Sequence, residues 1–337
     1  MKSPNSGAET QIDWSKMPVL VTGGCGFIGS HLVDALLAGG AQVRVLGKYS
    51  SRSDRGFLAD NHHPNLEVHL GDVADPWFVR NLMEGVDTVF HLAALIGIPY
   101  SYQAPEQYVQ TNIRGTLAVL EAARGAKVRR VVHTSTSEAY GTAQYQPIDE
   151  RHPLVGQSPY SATKIAADKL AESYFLSFDV PVATIRPFNT FGPRQSMRAV
   201  IPSMMAQALW SDEIVVGSLD PVRDMNYVLD TVEGFIAIAQ SDEALGKTFN
   251  IGSGQGRTIG EILELVQAVA GTDKPIRVAE ERVRPAGSEV EVLLCDYSLA
   301  KATFGYKPKH DFRHALGEVR GYLERVGRTA DASGYRV

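Results

Sequence analysis

The chain has 337 residues, 44% of them hydrophobic and 21% charged, a balance ordinary for a folded globular enzyme rather than a disordered segment. A net charge of −5 gives no basic excess to suggest nucleic acid, and no apolar run approaches a membrane span, so neither partner is expected. Two cysteines cannot make a disulfide framework and the polar segment 1–16 lacks a signal-peptide core, which together lead to an expected cytoplasmic location.

The first predicted element is VLVTGGCGFIGSHL, from Val19 to Leu32. Val19–Val21 read as a short buried strand, Gly23 to Gly29 as a glycine turn, and Phe27 and Ile28 as the start of a helix's buried face. Two spacings overlap in the turn: Gly24, Gly26 and Gly29 make G-x-G-x-x-G, and Gly23, Gly26 and Gly29 make G-x-x-G-x-x-G. Glycine permits the tight turn, lets backbone N–H groups approach a pyrophosphate, and lets helix pack on strand. A Gly-rich loop alone is more often just a turn; the strand before it and the helix after it point to a dinucleotide. Cys25 reads as a small side chain tolerated in that loop rather than as a nucleophile.

Gln42–Leu46 is a second predicted strand. An NAD enzyme would place Asp or Glu at its end for the ribose 2′-OH, but Gly47 stands there, followed by Lys48, Ser51 and Arg52. The missing acid and nearby cations favour NADP slightly over NAD, the alternative being a solvated basic loop. A third strand, within Leu66–Asp75, ends in Asp72 and Val73. Asp72 either accepts a hydrogen bond from adenine's amino group or caps the following helix. The fourth, Asp87–Leu95, closes on Leu92, Ala93 and Ala94, where small side chains let a cofactor lie against backbone. His91 within it reads as a packed histidine.

Asn112–Arg124 has a helical pattern, with Leu117, Leu120 and Ala123 assigned to one face. Arg129–Gly141 is a fifth strand running into a hydroxyl-rich loop. Ser158-Pro159-Tyr160 opens a long helix, and Val182–Arg194 is a sixth strand with its exit, where Pro187 is grouped with the cofactor contacts. This alternation predicts an α/β fold with a doubly wound parallel sheet. After Gln195 the rhythm changes. A helix starts near Ala199, Asp220–Asp230 holds a short strand entering another helix, Lys247–Gly254 is a last sheet strand, and Ile259–Ala270 is an amphipathic helix. The rest, with Cys295 in a late apolar strand, reads as a small α+β cap. The expected division is a cofactor domain at 17–189, rejoined at about 224–256, and a substrate domain at 190–223 and 257–326, with frayed tails at 1–16 and 327–337.

Tyr160 and Lys164 lie one helical turn apart, so both leave the same face. A nearby ammonium favours the phenolate, which can then act as a base toward an alcohol. By itself Y-x-x-x-K is common; it gains weight here from the glycine turn some four βα units upstream. Thr136 is the expected hydroxyl partner, and hydride would pass from the alcohol carbon to a nicotinamide.

TGGCGFIG, HLAA at His91–Ala94, STSEAYG at Ser135–Gly141, PYSATK and RPFNTFGPR together resemble the extended short-chain dehydrogenases acting on nucleotide sugars, over nearly all of Met17 to Val326. The resemblance implies a Rossmann domain with a smaller C-terminal α+β domain for the sugar nucleotide, tightly bound NAD(P), and no metal. It also implies a homodimer through the helices from Asn112 and Tyr160, with Ile165, Leu170 and Phe175 as candidate apolar contacts. Epimerases of the family usually have no carboxylate just before the Tyr-Gly pair, whereas 4,6-dehydratases have Glu there, so Glu138 resembles the base that removes a C5 proton. Ser137 departs from the commoner Thr-Asp-Glu, which leaves the proton for the leaving oxygen to protonated Glu138 or water. The bland alternative for Glu138 is a loop carboxylate that caps backbone.

HTSTSEAYGTAQ, GQSPYSATK, RPFNTFGPRQS and RPAGSEVE are most similar to GDP- or UDP-N-acetylglucosamine 4,6-dehydratases of the legionaminic acid pathway. Thr-Ser-Glu also occurs in UDP-glucuronate decarboxylases, so decarboxylation is the runner-up, with 4-epimerisation behind it. A silent NAD(P)-binding regulator would need damage to the Thr-Tyr-Lys set, and none is visible. For the substrate, the resemblance implies Asn189 at the sugar diphosphate, Arg223 and Arg284 at its phosphates, and the segment Val200-Ile201-Pro202 over the nucleobase.

Overall fold

A computed structural model describes residues 14–279 and 290–327 of the chain. Its first half contains strands β1 (Pro18–Thr22), β2 (Gln42–Lys48), β3 (Leu66–Gly71), β4 (Thr88–His91), β5 (Arg130–Thr134) and β6 (Val182–Pro187). Between and after them lie helices α1 (Phe27–Ala38), α2 (Pro76–Leu82), α3 (Ile98–Gln103), α4 (Pro105–Tyr108), α5 (Gly115–Ala126) and α6 (Pro159–Phe178). The second half adds β7 (Asn189–Phe191), α7 (Val200–Trp210), β8 (Ile214–Val216), β9 (Val222–Tyr227), α8 (Val228–Gln240) and β10 (Thr248–Ile251). It closes with β11 (Gly256–Thr258), α9 (Ile259–Ala270), β12 (Ile276–Val278), β13 (Val292–Leu293), α10 (Ser298–Phe304) and α11 (Phe312–Val326).

Seven strands form one sheet in the order β10-β6-β5-β4-β1-β2-β3, every pair parallel. Such a sheet must be covered on both faces, and the strand sequences comply. In β1, Val19 and Val21 enter a core with Leu32 and Val33 of α1 and Val232 and Phe235 of α8. Leu20 points the other way, into a core with Val79 of α2, Val119 and Leu120 of α5, and Ala171 of α6. This is the predicted doubly wound Rossmann architecture, and it brings the strands' C-terminal ends to one edge, where ligands of such sheets bind. A separate core from α7, α9 and α11 holds the smaller C-terminal α+β unit together. There β9 pairs with β7, β11 and β13, and β8 with β12. Among the described residues no helix is long and apolar enough to cross a membrane.

Several strands stop earlier than their apolar patterns suggest. β3 ends at Gly71 and β4 at His91; beyond each, the chain leaves the sheet at the ligand edge, as it does after β5 where the hydroxyl-rich loop begins. The Arg129–Gly141 stretch is thus a strand followed by a 3₁₀ turn at Ser137–Tyr140. The helix expected from Asn112 starts inside a π-helical stretch, Val109–Arg114. Leu117 does not share a face with Leu120 and Ala123: it is 38% exposed while they are buried, because the helical period puts Thr116, Val119, Leu120 and Ala123 on the inner side. Cys295 lies just past β13 and forms an isolated bridge with Ile148 rather than a strand.

Candidate active site

The glycine turn fits a pyrophosphate against bare backbone. α1 begins at Gly26 with no side-chain cap, so its first-turn N–H groups are available to an anion. Gly23 has φ +75°, and a Cβ there would fall 2.9 Å from the Ala93 nitrogen. At Gly29 a Cβ would lie 2.3 Å from the Gly23 carbonyl oxygen, so only glycine lets α1 pack this close to β1. At Gly26 a Cβ would lie 3.3 Å from the Gly23 carbonyl oxygen, a tight contact against backbone. Phe27 and Ile28 are half-buried, packed toward the C-terminal core.

At the end of β2, a Cβ on Gly47 would meet the Cys25 Sγ at 2.6 Å. The thiol fills the place where an acidic side chain would otherwise begin, and burial pushes its pKa up to about 11, so it is a packing group. Lys48 is exposed and pairs with Asp72 at 2.5 Å; Ser51 and Arg52 are exposed beyond it. Asp72 does not cap the next helix. Asp75 does, its Oδ1 accepting from the Trp77 and Phe78 amides at 3.0 and 3.3 Å, while Asp72 accepts from the Ala74 amide at 2.9 Å. Val73 is buried against α5 beside Gly115, Leu92, Ala93 and Ala94 follow β4, and Pro187 ends β6. His91 is a packed histidine: it bonds Thr22 at 2.8 Å and Thr116 at 3.0 Å, and burial pushes its pKa well down.

The catalytic candidates come from two elements that face each other. α6 starts with a capping box in which Ser158 accepts from the Ser161 amide at 3.1 Å and Ser161 accepts from the Ser158 amide at 3.0 Å, with Pro159 at the first helical position. That start fixes Tyr160 in the first turn and Lys164 one turn on, both buried. Opposite, Thr136 caps the 3₁₀ turn by accepting from the Glu138 amide at 3.2 Å. Thr136 also lies within hydrogen-bonding reach of the Tyr160 phenol. Ser137 is 3% exposed on the same turn.

The electrostatics differ from the simple Tyr–Lys expectation. Lys164 Nζ donates to the Thr134 carbonyl at 2.6 Å, and burial brings its pKa down to about 8. Burial raises the Tyr160 pKa, the Thr136 hydrogen bond opposes that, and negative charge on Glu138 adds to the rise. The phenol is therefore held protonated in the protein alone. A positive charge brought in by a bound nicotinamide is the natural counterweight. The Glu138 carboxylate is near enough for its charge to act on the phenol.

A cleft of about 350 Å³ lies in the C-terminal unit, lined by Asn189, Val200, Ile201, Arg198, Gln195 and Arg223 among others. It gathers three of the four substrate candidates; Arg284 lies outside the described residues. Pro202 is buried in α7 and is not among the cleft-lining residues. Asn189 Oδ1 and Gln195 Oε1 are buried with no hydrogen-bond partner among the described residues, which suits a polar ligand in this cleft. Arg223 donates to the Val222 and Glu291 carbonyls, which orient its guanidinium at the cleft wall.

Other contributors were not singled out by the sequence. Asn112 clamps the segment after β4, its Oδ1 accepting from the Leu95 amide at 2.8 Å and its Nδ2 donating to the Leu95 carbonyl at 3.0 Å. Tyr108 packs edge-on to Tyr160, with ring centroids 6.3 Å apart. Asp168 and Arg186 are buried behind the site. A charge inside the apolar run VATIRP was a signal that could have exposed the last of these.

The family model described as GDP-mannose 4,6 dehydratase matches residues 20–319. The dTDP-glucose 4,6-dehydratase of Actinoplanes sp. is 33% identical over 313 residues, 90% of this chain and 96% of that protein. A UDP-glucuronic acid decarboxylase of Arabidopsis thaliana is also 33% identical, over 90% of this chain and 87% of its own length. Among solved structures, a dTDP-glucose 4,6-dehydratase from Streptomyces venezuelae with NAD bound superposes with a TM-score of 0.85 at 29% identity, over 92% of this chain and 97% of that one. Matches of similar strength include nucleotide-sugar 4-epimerases. With its glycine turn, its facing Thr136 and Tyr160, and a family match across most of its length, the chain belongs to the extended short-chain dehydrogenase family of nucleotide-sugar epimerases and dehydratases.

Proposed function

We propose that the protein is an NAD(P)-dependent nucleotide-sugar 4,6-dehydratase that converts a nucleotide-diphosphate hexose to its 4-keto-6-deoxy form. The observation that carries this reading is the carboxylate of Glu138, on the turn that carries Thr136 and near enough for its charge to act on the Tyr160 phenol. Bound NAD(P) would accept the C4 hydride and return it at C6, ending the cycle in its starting state. Tyr160 takes the C4 hydroxyl proton while Thr136 holds the same oxygen. Once C4 is a ketone the C5 proton is acidic; Glu138 would remove it as the C6 hydroxyl leaves, and C5 would take a proton from solvent when the hydride returns to C6. Ser137 is a poor acid, so the leaving oxygen takes its proton from the now-protonated Glu138 or through a water. Lys164 holds the strand exit through its bond to the Thr134 carbonyl. Gly23, Gly26 and Gly29 with the α1 N-terminus would hold the pyrophosphate, and Asn189 and Arg223 the sugar diphosphate.

Wild-type enzyme in deuterated water with several nucleotide hexoses tests the reading. The expected product has lost water and gained one deuterium at C5, without net build-up of reduced cofactor. Inversion at C4 with no loss of water, or reaction only with a uronic acid and release of CO₂, would overturn it. Mass analysis of the co-purified dinucleotide checks the slight preference for NADP over NAD.

We further propose that two copies pair through α5 and α6. Leu170 packs into this subunit's own core and Phe175 against Gly246, so Ile165 is joined as a contact by exposed residues such as Leu117 and Leu176. Light scattering should give a dimer at micromolar concentration, and a monomer would sink the proposal.

A further inference from the structure

Behind the catalytic turn lies a buried polar cluster that the chemistry above does not use. Asp168 sits on α6 one turn beyond Lys164, and Arg186 on β6; both are less than a tenth exposed. Arg186 reaches three groups. Its Nη2 donates to Asp168 Oδ2 at 2.7 Å, its Nε to the Ser135 hydroxyl at 3.2 Å, and its Nη1 to the Tyr140 hydroxyl at 2.9 Å. Ser135 in turn donates to Asp168 Oδ2 at 2.6 Å, and His133 Nε2 meets Asp168 Oδ1 at 3.1 Å. The Tyr140 hydroxyl passes its proton's hydrogen bond on to Asn250 Oδ1 at 2.7 Å, and the guanidinium lies 4.7 Å from the Tyr140 ring centre.

The arrangement has a specific consequence. Ser135 and Tyr140 are the two ends of the short turn that carries Thr136, Ser137 and Glu138, and one guanidinium holds both ends. The carboxylate it pairs with is anchored on the helix that carries Tyr160 and Lys164. We propose that Asp168 and Arg186 are a positioning pair that registers the Thr136–Glu138 turn against Tyr160 and Lys164, a role that rests on the catalytic assignments above. Arginine suits it because its fork can serve two hydroxyls and a carboxylate at once; a lysine could not span them. The carboxylate's attraction also opposes the burial that brings the Lys164 pKa down, so the same pair helps keep that ammonium charged.

A buried ion pair is a poor guide to stability, since replacing both members by apolar residues is often neutral. That fact separates positioning from mere support. The test compares the Asp168→Leu/Arg186→Met double variant, and separately Ser135→Ala, with wild-type holoenzyme. One readout needs no substrate: amide hydrogen exchange across 135–141, expected to quicken at least ~10-fold in the folded double variant while β1 is unchanged. The second is single-turnover reduction of bound cofactor by a nucleotide hexose, a step common to dehydratases, epimerases and decarboxylases. It should slow by at least ~30-fold in the double variant and about tenfold in Ser135→Ala, with sugar affinity held within about threefold. Unaltered exchange in the turn, or folded variants that reduce cofactor at the wild-type rate, would overturn the proposal. If the double variant does not fold, Ser135→Ala decides alone. A wild-type enzyme that reduces cofactor but never dehydrates would refute the dehydratase reading while leaving both readouts of this pair intact.

Discussion

Glu138→Gln is expected to yield an enzyme that starts its reaction and cannot finish it. Glutamine keeps the shape of the side chain and most of its hydrogen bonding, but it cannot accept a proton from C5. In the proposed mechanism oxidation at C4 uses Tyr160 and a different atom of the sugar, so it should survive. The mutant should accumulate reduced cofactor together with a 4-keto hexose that still bears its C6 hydroxyl, and dehydration should fall by at least ~100-fold, the lower end of what a positioned base contributes. Removing the carboxylate also removes a negative charge that raises the Tyr160 pKa, so the first step should be no slower and its alkaline limb should move to lower pH. Rapid-quench mass analysis beside cofactor absorbance checks both halves. Wild-type dehydration in the mutant would remove Glu138 from the mechanism, and loss of both steps together would make it a structural group.

Tyr160→Phe should do the opposite, abolishing the first step and with it everything after. The phenol is the group within reach of Thr136, and its removal leaves the C4 hydroxyl without an acceptor for its proton. A loss of about 10³-fold in cofactor reduction is expected, within the range for general base catalysis, with nucleotide-sugar binding little altered because the cleft residues are elsewhere. The pH profile is a second readout. In wild type the rate should rise with pH as the phenol gives up its proton, and Lys164, brought down to about 8, should lose its charge on the same limb. In the mutant the residual rate should lose the rise that belongs to Tyr160. A mutant that reduces cofactor at near wild-type speed would transfer the base role to another residue.

The sheet was legible because parallel strands buried on both faces leave continuous apolar runs, and the helices because caps such as Ser158 and Thr258 announce themselves. Ile259–Ala270 matches the bounds read from its amphipathic pattern. Strand ends were less legible where HLAA stays apolar or small after the pairing stops at His91, since nothing local marks the change there. The Asp72 capping option failed because Asp75 stands nearer the proline that starts α2, a choice that turn geometry makes. Asp168 and Arg186 were missed because their meaning is a long-range contact between β6 and α6. The electrostatic state of Tyr160 was misjudged in the protein alone because spacing shows which face a lysine shares, not that its ammonium turns to the Thr134 carbonyl.

The contact between Cys25 and the bare backbone of Gly47 also constrains how this sequence can change. An acid at position 47 would begin with a Cβ 2.6 Å from the sulfur, whereas the Cys25 Cβ itself is 3.6 Å away. The two positions are therefore epistatic. A lineage, or an engineer, that wished to recast cofactor preference by placing aspartate at 47 would need to shorten residue 25 to alanine or glycine and make room at Leu70. The same Cβ would lie 2.9 Å from Leu70 Cδ2, so the Leu70 side chain must also shift, and the change at 47 depends on both neighbours giving way.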